Sequence, residues 1–258
     1  MAAHSGTGRL LYLSAVPSQP LAELAGVAAQ ARRAGLEPVV HLPARRVASK
    51  TELLEVLARL RGEANVRQLL VVAGDIDQAG PYADALALIR DGGLCVAGIE
   101  EIGIAGYPEG HPKIASAQLA AALPVKLAAA AETGLRVHIV TQFAFAAEPI
   151  ATWVRGLRAQ GIVVPVRIGL AGPTSVTALL RYAKRCGVNT SLRGLVSGAA
   201  TALIGNVGPE KIIDEFLATS ADLGDVTLHY FSFGGVADTA RYAEKMAARL
   251  AAETKAVL

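Results

Sequence analysis

Polar side chains follow the apolar runs of this 258-residue sequence at the points where the runs end. The stretch IGIAGYPEGHP closes one run with Tyr107, Glu109 and His111, in a turn that two prolines stiffen. Carboxylate, imidazole, phenol and amide groups are the types that bind ligands and move protons. The pattern therefore predicts a ligand site without naming the ligand. The other run ends of this kind are Ser14, His41, Gly74-Asp75, Thr141-Gln142 and Gly172-Pro173-Thr174.

The same residues also have structural interpretations. An Asp that follows a strand often caps the next helix, and for Asp75 alone this is as good an explanation as a functional role. The remaining structural interpretations are a satisfied core position for His41, a helix cap for His111, backbone bonding for Gln142, and strand-interior positions for His138 and His229.

Seven β-rich runs alternate with Ala- and Leu-rich helical patterns, and most run starts are about 30 residues apart, the length of a βα unit. Continuous apolar strands separated by helices indicate a parallel sheet. We therefore predict one α/β domain over residues 1–258, a (β/α)8 TIM-type barrel, with a doubly wound open sheet as the alternative. The predicted strands are 10–16, 38–43, 68–74, 101–107, 136–142, 164–170 and 227–233.

Only seven strands are recognisable, so the first strand of the barrel is missing or altered. The edges that this leaves on the flanking strands could pair directly, be covered by residues 1–9, or meet another copy or a partner chain. A natural start upstream of this sequence is a further alternative. The long gap from 170 to 227 predicts extra helices in SVTALLRYAKRCG, RGLVSGAATALIG and GPEKIIDEFLATSADLG.

Composition argues against several classes of function. The net charge of +3 is spread along the chain, which disfavours nucleic acid, and no apolar run reaches the ~18 residues of a membrane helix. Two cysteines, Cys95 and Cys186, fit a reducing compartment and give no metal-ligand spacing. We expect a cytoplasmic protein without a metal. The Rossmann, zincin and nucleophile-elbow motifs are all missing from the sequence.

Four segments in order, VVAGD, GIAGYPEGHP, IVTQFAF and PVRIGLAGPTSVTALLRYA, resemble the methylenetetrahydrofolate reductase family. The resemblance implies FAD at the carboxyl ends of barrel strands, NADH or NADPH as electron donor, and methylenetetrahydrofolate as substrate. It implies catalytic roles for Asp75 and Gln142, and substrate contacts for these two and Tyr182. The cofactor-binding positions that it implies are Ser14, His41, Asp75, Ala83, Tyr107, His111 and Lys126.

The sequence departs from the family pattern at several positions. The family's first strand, whose Glu protonates the folate nitrogen, has no counterpart here. Three outcomes follow: another acid such as Glu109 or Asp77 replaces it, the enzyme works preferentially in the oxidising direction, or activity is lost. Four further departures are Ala73 for an Arg, Ala120 for an acid, Ala178 for a Gln and Gly235 for an Arg. The cations left to hold flavin phosphate are Lys113, Lys126, Arg45 and Arg46.

Two alternative functions therefore stay open. One is a non-catalytic folate- or flavin-binding partner subunit. The other is an unrelated barrel enzyme, such as an aldolase or a corrinoid-linked methyltransferase. A Schiff-base aldolase is disfavoured because none of the seven predicted strands contains a Lys.

Overall fold

The computed structural model describes residues 8–186, 206–220 and 222–256. Seven parallel strands form one sheet in the order β1-β2-β3-β4-β5-β6-β9, and two short strands, β7 and β8, form a separate antiparallel pair. All seven predicted strands are confirmed. Their bounds are β1 Leu10–Leu13, β2 Glu37–Pro43, β3 Gln68–Val72, β4 Glu101–Gly106, β5 Arg136–Thr141, β6 Val166–Ala171, β7 Thr174–Ser175, β8 Asn206–Val207 and β9 Val226–Phe231.

Helices connect consecutive strands of the sheet, and the last helix, α9, follows β9. They are α1 Leu24–Arg33, α2 Lys50–Ala64, α3 Ala85–Arg90, α4 Gly93–Val96, α5 Ser116–Glu132, α6 Ala147–Ala159, α7 Val176–Cys186, α8 Glu210–Thr219 and α9 Val236–Ala256. Helices α7 and α8 confirm two of the three extra helices predicted before the last strand. The third, RGLVSGAATALIG, lies outside the described residues. No helix among the described residues is both long and apolar enough to cross a bilayer.

Alternation along each strand divides the sheet into two faces. On β4, Ile102 and Ile104 are fully buried in the large core that the helices share with the sheet. Glu101 and Gly103 alternate with them and meet partners inside the curl of the sheet. Each strand therefore contributes one apolar row to the helix layer and a second row to the interior of the curl.

The sheet curls far enough for distant strands to meet, yet the strands in the described ranges do not close it. The Tyr12 hydroxyl on β1 lies 2.8 Å from His138 Nε2 on β5, and the rings of Tyr12 and His229 on β9 are 4.5 Å apart. In the described part of the chain, β1 pairs only with β2, and β9 only with β6. The fold is thus the predicted TIM-type barrel, in which the described residues supply seven strands and leave the sheet open between β1 and β9.

Candidate functional site

The loop after β3 carries Asp75 and is held against the loop after β2. Gly74 has a φ of +92°, a conformation that favours glycine, and it turns the chain over Pro43. The Arg45 backbone N–H donates to the Ala73 carbonyl over 3.0 Å, which fixes the start of the loop. The Asp75 side chain is consequently exposed at the carboxyl edge of the sheet.

Asp75 does not cap a helix. The next helix, α3, is capped by Asp84, whose Oδ1 accepts from the Ala87 backbone N–H over 3.0 Å. The structural explanation that competed with a ligand role for Asp75 is therefore wrong.

Tyr107 and His111 lie together in the turn after β4. Their ring centroids are 5.1 Å apart and nearly perpendicular. Burial raises the pKa of Tyr107, while burial and the nearby Lys113 charge lower the pKa of His111. The Lys113 backbone N–H donates to His111 Nδ1 over 3.2 Å, so the neutral ring carries its proton on Nε2. The N-cap residue of α5 is Ala115, so His111 is not the helix cap.

Gln142 immediately follows β5 and is tied to the neighbouring strand. Its backbone N–H donates to the Gly106 carbonyl over 2.8 Å, which places it beside Tyr107. Its side-chain Oε1 accepts from the Phe143 backbone N–H over 3.1 Å. The Gln142 oxygen is thereby fixed as an acceptor, which leaves the amide NH₂ as the donor end of the side chain.

An aromatic cluster connects Gln142 to Tyr182. The ring of Phe143 lies 4.9 Å from that of Phe233, and Phe233 is stacked on Tyr182 with centroids 4.0 Å apart. Sequence reasoning missed Phe143 and Phe233, although the TQFAF and FSF stretches show aromatic residues at two strand ends. The cluster gives this side of the edge an apolar wall of flat side chains.

Two cationic side chains interact with the end of the loop before α3, Arg45 with Ala83 and Lys126 with Asp84. Arg45 Nε donates to the Ala83 carbonyl over 2.9 Å. Lys126, on α5, has its pKa lowered by burial, with the Asp84 carboxylate acting in the opposite direction. Arg45 and Lys126 could together hold a diphosphate here.

Ser14 and His41 occupy different depths. Ser14 is exposed directly after β1, at the same edge as Asp75. His41 lies inside the curl, 6.1 Å from the Tyr12 ring, and its buried Nε2 has no hydrogen-bond partner in the described part of the chain. Burial lowers the pKa of His41 to about 4, so the ring is neutral at pH 7. The structure therefore does not bring His41 into contact with Tyr107 or Gln142.

A buried polar network that the sequence analysis missed lies below this edge. His138 Nδ1 bonds Glu101 Oε1 over 2.6 Å, and Arg167 donates both to the same Glu101 oxygen, over 3.1 Å, and to the Tyr12 hydroxyl. The Glu101 pKa is lowered by its hydrogen bond to His138, and the charges of His138, Arg167 and Arg136 add to this effect. The sequence signal for this network was the alternation of side chains along β1 and β6, which places Tyr12 and Arg167 on the inner face of the sheet. No cluster of metal-ligating side chains occurs within the described ranges.

The strand ends thus combine an exposed carboxylate, an oriented amide, a Tyr-His pair and an aromatic wall, on a parallel α/β barrel with one strand missing. This is a class of protein that binds its ligands where the strands end. The family model described as methylenetetrahydrofolate reductase matches residues 22–192, more than half of the chain, and the chain belongs to that family.

Individual relatives are more distant. The chain is 29% identical over 151 residues to a 5,10-methylenetetrahydrofolate reductase of Pectobacterium carotovorum subsp. carotovorum; the match covers 58% of this chain and 49% of that protein. The chain thus spans about half the length of this curated relative.

Among solved structures, a triosephosphate isomerase from Bartonella henselae is similar at a TM-score of 0.37 and 16% identity, covering 92% of this chain and 98% of that one. The Bordetella bronchiseptica enzyme WbmH in complex with NAD+ reaches a TM-score of 0.28 and 10% identity, over 92% and 91% of the two chains. Neither similarity is strong enough to bear on function.

Proposed function

We propose that the protein is a folate oxidoreductase that transfers a hydride between a reduced nicotinamide and 5,10-methylenetetrahydrofolate, giving 5-methyltetrahydrofolate. One observation carries the proposal beyond family membership. Gln142 is bonded to the β4 end beside Tyr107, and its neighbour Phe143 contacts Phe233, which is stacked on Tyr182, so residues far apart in sequence gather at one edge of the sheet.

Asp75 would act through its charge. The folate that accepts hydride is an iminium cation, and a carboxylate close to the pterin favours the cation over the neutral ring-closed form. Asp75 is exposed and forms no hydrogen bond within the described residues that would neutralise it. It is therefore able to interact with an incoming pterin.

Gln142 would orient the pterin. Its oxygen already accepts from the Phe143 backbone, so the amide NH₂ is the end that can donate to a ring acceptor. Tyr182 and Phe233 are stacked only 14° from parallel and offer a face for the flat aminobenzoyl part of the folate.

The residues present fit a flavin dinucleotide in part. Tyr107 and His111 would contact its ring system, Ser14 and the Ala83 loop would border it, and Arg45 with Lys126 would hold its diphosphate. FAD, when bound, would relay the hydride between NADH and the folate. His41 lies deeper in the curl, where its buried Nε2, without a partner among the described residues, would reach the cofactor through a water molecule.

Ring opening of the folate requires a proton at the leaving nitrogen. The family's first-strand Glu has no counterpart in this sequence, and a missing general acid costs about 10²–10⁴ in rate. Glu109, in the turn between Tyr107 and His111, and Asp77, two residues after Asp75, are the carboxyl groups near enough along the chain to replace it. A folate- or flavin-binding subunit without turnover is the second candidate function, because the family's catalytic Glu has no counterpart among these residues.

A single assay separates these candidates. Purified protein is supplied with FAD, NADH and methylenetetrahydrofolate without oxygen, and 5-methyltetrahydrofolate is measured by mass spectrometry. We expect folate-dependent oxidation of NADH, lowered about 10²-fold in Asp75→Asn and unchanged in the control Asp222→Asn, an exposed position before the start of β9. Folate binding without product would support the non-catalytic subunit, and neither binding nor product would exclude both.

A further inference from the structure

The first part of the loop after β3, residues 73–80, contains no buried residue, and residues 75–79 are all exposed. A segment without buried side chains is held in place by its hydrogen bonds and by close packing of its backbone. The position of the Asp75 carboxylate therefore depends on the part of the protein to which this loop is fastened.

Arg45, in the connection between β2 and α2, bonds the loop at three points. Its backbone N–H donates to the Ala73 carbonyl over 3.0 Å, and its carbonyl accepts from the Ala79 backbone N–H over 2.8 Å. Its side chain adds the third bond, from Nε to the Ala83 carbonyl over 2.9 Å. A single residue thus fastens the loop on both sides of Asp75.

The connection that carries Arg45 is itself anchored in the core. Ala44 and Val47 are buried between the sheet and the helices, and the Val47 backbone N–H donates to the Ala44 carbonyl over 3.0 Å. We call residues 44–48 the seat of the loop. Because the seat is held by the core, the bonds that it makes give the exposed loop a fixed position.

Gly80 lets the loop lie directly on the seat. A Cβ added at this position would overlap the carbonyl oxygens of Val47 and Ala48. A side chain at Gly80 would therefore push the loop off the seat. The Gly80 carbonyl also accepts from Gln78 Nε2 over 2.6 Å, which closes the segment that contains Asp75.

We infer that Gly80 and Arg45 are positioning residues for Asp75, because the contact of the loop with the seat sets where the carboxylate meets the pterin. The inference rests on the proposed function, which assigns the pterin to Asp75. A misplacement of about 1 Å can cost about 10²-fold in an enzyme site. A loop pushed off the seat should bind folate more weakly, and this loss should disappear when the carboxylate is absent.

A double-mutant cycle tests the dependence on the carboxylate. The dissociation constant of 5-methyltetrahydrofolate is measured by isothermal titration calorimetry in excess FAD. We expect Gly80→Ala and Asp75→Asn each to weaken binding about tenfold, and the double variant to bind no more weakly than Asp75→Asn. Gly62→Ala, in α2 with nothing within 4 Å of the added Cβ, is the matched control and should leave the affinity unchanged.

Hydrogen exchange shows whether the loop has moved. In the protein without ligands, Gly80→Ala should speed exchange in residues 73–83, whereas Gly62→Ala should not. If circular dichroism shows that Gly80→Ala is unfolded, Arg45→Met takes its place in both measurements. This variant removes the bond to Ala83 and keeps the backbone bonds, so we expect about a threefold loss of folate affinity.

The outcomes separate this inference from the proposed function. A variant that is merely destabilised would weaken folate binding equally with and without the Asp75 carboxylate. Such additive losses, or unchanged exchange in residues 73–83, would overturn the inference and leave the proposed function standing. No folate binding by the unmodified protein would overturn both.

Discussion

The Tyr12 hydroxyl donates a hydrogen bond to His138 Nε2 over 2.8 Å and so joins the first strand of the sheet to the fifth, inside the curl. His138 Nδ1 in turn forms a hydrogen bond with Glu101. Arg167 donates to the Tyr12 oxygen and to Glu101, so every polar group of the network has a partner. The curl is therefore held by side chains where strand pairing does not close it.

Removing the Tyr12 hydroxyl should loosen the curl. Tyr12→Phe leaves His138 Nε2 and one Arg167 N–H without a partner in a buried site, which costs about 1–3 kcal/mol of unfolding free energy. Tyr230→Phe, on the outer face of β9 against Tyr242, should cost less than half as much. Urea unfolding followed by circular dichroism measures both, and equal losses would show that the network does not hold the curl.

Gly103 is required by the same network. A Cβ at this position would lie 2.8 Å from His138 Nε2 and 2.9 Å from Leu70 Cδ1. Gly103→Ala should therefore destabilise the protein by about 1–3 kcal/mol through overpacking. Gly156→Ala, in helix α6 with nothing within 4 Å of the added Cβ, should stabilise it slightly. A thermal shift of the same sign in both variants would refute this account.

The buried histidines make stability depend on pH. Burial lowers the pKa of His229 to about 3, with the charges of His41, Arg167 and His138 adding to the effect, whereas the unfolded value is near 6.5. The unfolded chain thus binds the extra proton between these values. The free energy of unfolding is therefore unaffected by His229 above about pH 6.5. Below that, it declines by about 1.4 kcal/mol per pH unit as the pH falls toward 3.

His229→Phe tests this contribution because Phe keeps the ring contacts to Tyr12 and Phe231. Between pH 6 and 4, the slope of the unfolding free energy against pH should fall by about 1.4 kcal/mol per pH unit, the effect of one bound proton. An unchanged slope would mean that His229 is already protonated or solvated in the folded protein.

Flavin binding should depend on Lys126. Replacement of the half-buried ammonium by Lys126→Met should lower FAD affinity about tenfold, since one charge on the diphosphate is lost. Lys211→Met, at an exposed position on α8, is the matched control. Quenching of flavin fluorescence on titration reports affinity directly, and equal affinity in the two variants would remove Lys126 from the site.

The order of elements was predictable because it depends on local patterns. The apolar runs from Leu10 to Phe231 predicted all seven strands, since buried parallel strands are apolar whatever lies next to them. The number of strands in the described sheet was also predictable, because seven apolar runs were recognisable in the sequence.

The interior of the curl was not predictable. Tyr12 and His138 are 126 residues apart, and only the curvature of the sheet brings them together. Sequence reasoning placed His41 with the edge residues, but its position two residues before the end of β2 puts it deeper. The roles of Asp75, Tyr107, His111 and Gln142 remain predictions that ligand binding must test.

A crystal structure of the protein soaked with 5-methyltetrahydrofolate tests the central claim most directly. The account predicts the pterin at the carboxyl ends of the strands, within hydrogen-bond distance of the Asp75 carboxylate and the Gln142 amide, with the aminobenzoyl ring against Tyr182. A pterin bound elsewhere, for example in the opening between β1 and β9, would contradict it.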